Sequence, residues 1–140
     1  VSKVIKTMHT SEVIYLGNLR TTAKHMASGN SIITDAPVDN NGKGEAFSPT
    51  DLLATAFAQC MITIMGIEAN KLGVNLDGST ATVLKKMNLT PRKVRKIEVE
   101  ITLPLAAIDF KTQLEHAAHT CPVALSLHPD VEQHVTFCYV

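Results

Sequence analysis

The chain has 140 residues, 13 basic and 13 acidic side chains, and three cysteines. That length suits a single domain, residues 1–140, with a modest core, and the balanced charge leaves no electrostatic footprint for nucleic acid or an anionic membrane surface. Three cysteines are no disulfide framework and point to a cytoplasmic protein in which any disulfide is transient or catalytic.

The N-terminal stretch VSKVIKTMHTSEVIYL lacks the apolar block of a signal peptide. Glu12–Leu16 and Leu19–Met26 are expected as strands joined at Gly17-Asn18, a hairpin signal. Ser28-Gly29-Asn30 turns the chain into a short strand, Ser31–Thr34. The stretch DAPVDNNGKGE, from Asp35 to Glu45, is rich in turn-forming residues and is expected as a loop. Ser48-Pro49 then opens a long helix. Ser48 caps its free N–H groups, Pro49 suits its first position, Asp51 completes a capping box and Gly73 is the stop. Thr80–Leu89 and Ile97–Leu103 are expected as strands around a connection at Thr90–Lys96. In the second strand Ile97, Val99, Ile101 and Leu103 alternate with polar residues, so one face is buried. Ile108–His119 is expected as a helix, followed by a short one near Cys121-Pro122 and a last strand, Val135–Val140. The order β-β-β-α-β-β-α-α-β implies an α+β fold of antiparallel sheets with a long central helix.

The long helix carries the first functional clue. Leu52–Ile67 is uncharged, but it falls short of the roughly 20 residues that span a bilayer and is bracketed by Asp51 and Glu68, so a core helix is expected rather than a membrane span. Leu53, Phe57, Cys60, Ile64 and Ile67 form one face, and Ala54, Ala58, Met61 and Met65 cover the other side without charge. A helix apolar all round needs cover on every side. A second copy of the chain is expected to supply it, making an obligate homodimer with Cys60 near the interface.

Within this helix Cys60 is either a packed small hydrophobe or a reactive thiol. A nucleophilic cysteine acts as the thiolate, favoured by a helix N-terminus or a nearby cation. Cys60 lies too deep in its helix for the end effect to reach it and needs a cation from elsewhere. Cys121, at a helix start, is expected to be the more acidic thiol.

Phe47-Ser48-Pro49-Thr50-Asp51-Leu52-Leu53-Ala54 through Ala58-Gln59-Cys60-Met61 resembles the OsmC/Ohr family of thiol-dependent peroxidases. That family pairs an Asn/Ser-Pro helix start with a cysteine eleven residues after the proline and a second cysteine about sixty residues on, as Pro49, Cys60 and Cys121 are spaced here. The resemblance extends over nearly the whole chain, and the Asp-Ala-Pro and Gly-Glu-Ala-Phe-Ser-Pro-Thr-Asp wording resembles a less-studied branch of the family. It implies an intertwined homodimer that reduces organic hydroperoxides in oxidative stress defence without a cofactor. Cys60 is then the peroxidatic thiol, Cys121 the resolving thiol, and a dithiol reductant of lipoyl or another type resets the pair.

The family also holds its thiolate with an arginine from the N-terminal strands, oriented by a glutamate directly after the helix-start proline. Arg20, the only arginine before position 92, is either the matching arginine or a solvated strand residue, and Thr50 stands where the glutamate is expected. Asp51, one residue on and about 100° around the helix, either orients Arg20 or only caps its own helix, and Glu45 in the preceding loop is the other candidate acid. Phe47, Phe57 and Met61 are candidates for an apolar substrate pocket or plain core residues.

His116, His119 and Cys121 are ligand types that zinc accepts, yet no fourth ligand is evident, and histidines on an amphipathic helix are the preferred reading, with no metal expected. Cys138 in the last strand is expected in the core. Lys85-Lys86 and Pro91–Lys96 form a basic cluster without interleaved aromatics, a solvated hairpin rather than an RNA site. Three classes remain: a thiol peroxidase, a non-enzymatic protein of the same fold holding an apolar ligand at the dimer interface, and a metal-dependent protein built on the histidines.

Overall fold

A computed structural model describes residues 8–140; residues 1–7, where the start of a signal peptide would fall, lie outside the described residues. The chain forms two compact units, one ending at Leu52 and one running Leu53–Val140, with the division inside the long helix.

The first unit is an antiparallel sheet in the order β1 (Ser11–Gly17), β2 (Arg20–His25), β3 (Ser31–Asp35). The first turn falls one residue later than expected. Gly17 pairs with Arg20, so Asn18 and Leu19 are the central residues, with φ 54° and 64°. Twisted hairpins favour this two-residue turn because both its central positions have positive φ. Gly17 itself, at φ 83°, absorbs a register irregularity after Tyr15, a bulge position that suits glycine. Val13, Ile14, Tyr15, Leu16, Ile32 and Ile33 are all 48–65% exposed, so the sheet's apolar side chains are largely uncovered. The buried residues of this unit, Thr34, Asp35 and Ser48, are polar.

The second unit packs α1 (Pro49–Leu72) with a second sheet, β4 (Thr80–Leu89), β5 (Arg92–Leu103) and β6 (Glu132–Tyr139), in that order. Ile97, Val99, Ile101 and Leu103 are each at most 2% exposed, as their alternation predicts. β5 starts earlier than expected because the turn is confined to Thr90-Pro91, and the charged Arg92–Lys96 segment still pairs with β4. Val94, 6% exposed, anchors that arm.

β4 and β5 are antiparallel, but β6 runs parallel to β5. The expected antiparallel pairing fails here because β5 and β6 are not joined by a hairpin. A 3-10 turn (Leu105–Phe110), α2 (Lys111–His119) and α3 (Pro122–Ser126) carry the chain back to the starting end, as a parallel neighbour requires. The single helix expected over Ile108–His119 thus begins as part of a 3-10 turn.

α1 has the predicted ends. The Ser48 N–H donates to Asp51 Oδ2 at 2.9 Å, and the Asp51 N–H donates to Ser48 Oγ at 3.1 Å, closing the capping box. Gly73 takes φ 72°, and the Val74 and Gly73 N–H groups return to the carbonyls of Ala69 and Asn70, the left-handed glycine stop.

Ala54, Phe57, Ala58, Met61, Met65 and Ala69 are buried in the core of the second unit. Phe57 therefore belongs with the Met61 side, not with the Leu53–Cys60 face. On that other face Leu53 is 41% and Ile67 50% exposed, with Cys60 and Ile64 half-buried between them. By length and composition alone α1 would also pass for a membrane span; its Phe57–Met65 side is packed in a protein core.

Candidate active site

The two thiols expected to act together both lie in the second unit, and the fold brings them together. Cys60 is half-buried on the less covered face of α1. Cys121 is wholly buried. α2 ends where Thr120 Oγ1 donates to the His116 carbonyl at 2.9 Å, and Cys121 then adopts an extended backbone as the N-cap of α3, with Pro122 at its first position. Cys121 Sγ accepts the Ala124 N–H at 3.4 Å.

A helix start should acidify this thiol, but burial outweighs that bond and pushes Cys121 up. The neighbouring Cys60 sulfur adds to the rise, through a hydrogen bond and through charge. The expectation that Cys121 is the thiol activated by its helix is thus reversed: α3 is a single short turn, and desolvation of a charged sulfur costs more than its N–H groups return. Cys121 is held beside Cys60 with its thiol favoured over its thiolate.

In the first unit, Arg20 and Asp35 face each other across β2 and β3. Arg20 Nε donates to Asp35 Oδ1 at 2.6 Å and Nη2 to Oδ2 at 2.8 Å, a bidentate pair. Asp35 is 1% exposed, and its Oδ2 also accepts the Glu45 N–H at 3.0 Å. The guanidinium holds the Asp35 carboxyl below the usual carboxylate range against the opposing effect of burial, and Asp35 in turn raises Arg20. Glu45 is a weaker partner: its Oε2 is 3.4 Å from Arg20 Nη2 and its side chain 64% exposed.

The loop after β3 closes tightly around this pair. The Ala36 N–H donates to the Leu19 carbonyl at 3.0 Å and the Asp35 N–H to the Phe47 carbonyl at 3.1 Å. A Cβ at Gly42 would collide with the Ala36 carbonyl, so glycine is required there.

Among the other candidates, Asp51 closes the Ser48 capping box. Arg20 is held by Asp35 and Glu45. Phe57 and Met61 are 1% and 0% exposed in the core, while Phe47 is 53% exposed. Cys138 is exposed, not in the core: along β6 it alternates with the half-buried Phe137 and Tyr139 and takes the outward face.

The His119 ring packs edge-on against Phe137, with centroids 5.7 Å apart. Among the described residues no group of three His, Cys, Asp or Glu converges as a metal site. The basic hairpin is laced with ion pairs, Lys86 and Lys96 to Glu98 at 3.0 and 3.2 Å and Lys93 to Asp130 at 3.4 Å.

Asp35 is the residue that sequence reasoning missed. Its partner was legible in principle, because a hairpin folded about Met26–Gly29 sets position 20 opposite position 35. Treating Asp35 as the start of a loop hid the pairing.

Several comparisons bear on this arrangement. The family model for OsmC-like proteins matches residues 42–135. A crystal structure from Psychrobacter arcticus 273-4, of a protein named for an osmotic stress induced and detoxification response, is 50% identical. It superposes with a TM-score of 0.90 and covers 95% of this chain and 98% of its own. An organic hydroperoxide resistance protein OsmC from Legionella pneumophila is 20% identical with TM-score 0.67, over 95% and 99% of the two chains. An organic hydroperoxide resistance protein from Vibrio cholerae O1 biovar eltor, with captopril bound in one of its active sites, is 19% identical with TM-score 0.69, over 96% and 95%. These last two show a shared fold. Comparison with curated proteins returns no match. The match of the family model over most of the chain, together with the half-identical neighbour, establishes that the chain belongs to the OsmC family.

Proposed function

We propose that this chain is a thiol-dependent peroxidase for organic hydroperoxides, working as a homodimer. The observation that carries the reading is the juxtaposition of Cys60 with Cys121, a buried thiol that burial and the Cys60 sulfur push up. The names of the Legionella and Vibrio neighbours fit the same chemistry.

The Cys60 thiolate attacks the terminal oxygen of ROOH. An S–O bond forms, the O–O bond breaks, and RO⁻ leaves and takes a proton to become ROH, with Cys60 oxidised to the sulfenic acid. Cys121 then attacks the Cys60 sulfur. The S–S bond forms as the S–OH bond breaks, and the Cys121 proton leaves with the hydroxide as water. A dithiol reductant, of lipoyl type or another, reduces the disulfide and is itself oxidised. We assign to Arg20 the positive charge that a thiolate in mid-helix requires. Phe47 offers exposed apolar surface for the organic group, and Phe57 and Met61 back α1 from the core. A second copy covers the Leu53–Ile67 face of α1, on which Cys60 lies.

The test is to add cumene hydroperoxide to the reduced protein and follow free thiols and intact mass. The expected result is loss of two of the three thiols with a Cys60–Cys121 disulfide. Cys60→Ser should abolish it, and Cys121→Ser should stop at a sulfenic acid. Unchanged thiols would turn the reading to its alternative, a non-enzymatic family member that holds an apolar ligand on the uncovered face of α1.

A further inference from the structure

We propose that Asp35 is the positioning residue for Arg20 in this chain, standing in for a carboxylate on the α1 start, with Glu45 only an auxiliary partner. The proposal rests on the peroxidase reading above and concerns which acid makes the arginine competent.

The position after Pro49 carries Thr50, and the next acid, Asp51, is engaged with Ser48. Asp35 grips the guanidinium through Nε and Nη2 from a site that water scarcely reaches. Three backbone bonds fix that grip: the Glu45 N–H to Oδ2, the Asp35 N–H to the Phe47 carbonyl, and the Ala36 N–H to the Leu19 carbonyl next to Arg20. A bidentate fork with a rigid acceptor sets both the position and the plane of the guanidinium, and neither Nε nor Nη2 can leave without stranding a buried carboxylate. Nη1 takes no part in these bonds and is the nitrogen left to point elsewhere. Glu45, exposed and farther away, can let go without freeing the arginine.

Two opposed effects of Asp35 make the proposal testable. Its negative charge weakens the field of Arg20, while its grip aims that field. If aim dominates, Asp35→Asn slows the peroxide-dependent loss of the Cys60 thiol on the order of tenfold or more. It also moves the half-maximal pH of Cys60 alkylation upward by about one pH unit. If charge dominates, the same variant speeds the reaction and moves that pH downward, which overturns the proposal. Because Asp35 acts through Arg20, Asp35→Asn should add nothing in an Arg20→Met background. A further fall there would mark a merely structural role and also overturn it.

Should Asp35→Asn lose its cooperative melt, Arg20→Lys gives an independent reading. It keeps the charge and removes the fork, so a comparable slowing is expected, and a wild-type rate would overturn the proposal. Arg20→Met separates the two levels of inference. If that variant alone leaves thiol loss unchanged, the arginine has no part in the reaction; if it is slow while Asp35→Asn is unchanged, the arginine acts but Asp35 does not position it.

Discussion

Burial pushes two proton-binding groups up, and both make predictions about pH. Cys121 accepts a helix N–H, yet burial pushes its thiol up, with Cys60 adding to the rise. A raised folded-state value means that the folded protein binds this proton more tightly than the unfolded chain does. The resulting stability is fully present below the ordinary thiol value of about 8.5 and is lost as pH rises through the folded value. Tyr139 behaves alike in a higher window: burial, and then the charge of Glu115 and a 3.2 Å bond to its Oε1, push the phenol up to about 12. Urea midpoints of the reduced protein should therefore fall with rising pH in two stages. Cys121→Ser should remove the earlier stage and Tyr139→Phe the later one. An unaltered pH profile in Cys121→Ser would show that the buried thiol does not govern alkaline stability. The thiol spacing was legible in the sequence; the protonation of Cys121 was not, because the helix start is a local pattern and burial is set by long-range packing.

At the scale of elements, the long helix was the most legible part of the chain because its ends are encoded locally. Ser48 is 2% exposed and exchanges two hydrogen bonds with Asp51, so Ser48→Ala should cost about 1 kcal/mol in urea unfolding. Ser48→Asp, which keeps a capping oxygen, should recover part of that loss. The core side of α1 should respond more strongly. Phe57→Ala is expected to cost about 3–5 kcal/mol, because Phe57 is buried with Met61 against the second sheet; a cost near 1 kcal/mol would mean that the site collapses to fill the cavity. The alternation of β5 was equally plain, since one-sided burial writes itself into every second residue. The direction of β6 was not. Nothing in Glu132–Tyr139 distinguishes a parallel from an antiparallel neighbour, and only the path through α2 and α3 settles it. The Arg20–Asp35 pair was hidden for a related reason, since cross-strand partners follow from register and a one-residue shift at the first turn already displaced the expected strand boundary.

At the scale of the whole molecule, the uncovered apolar residues make the strongest demand. In the first sheet Val13 and Tyr15 alternate with Ile14 and Leu16, so both faces of β1 carry large apolar groups, and all four are more than half exposed. Small three-stranded sheets are stabilised by burying a face, and this one covers few of its large apolar side chains. On α1 the Leu53–Ile67 face adds a second uncovered surface, with Cys60 on it. The occupant most consistent with both surfaces is another copy of the chain, since a symmetric partner presents the same surfaces in return. A stable pair buries about 800 Å² on each partner. We therefore predict that the protein sediments as a dimer at micromolar concentration. Ile67→Glu, which sets a charge on the helix face, should shift it toward monomer and slow peroxide-dependent thiol loss together. The same change at Thr63, already polar and exposed on α1, should disturb assembly less if contact is concentrated on the apolar positions. A wild-type chain that sediments as monomer would exclude the dimer, and Cys60 would then have to work on a helix face that water reaches, where a thiolate loses less by ionising but gains less from any nearby charge.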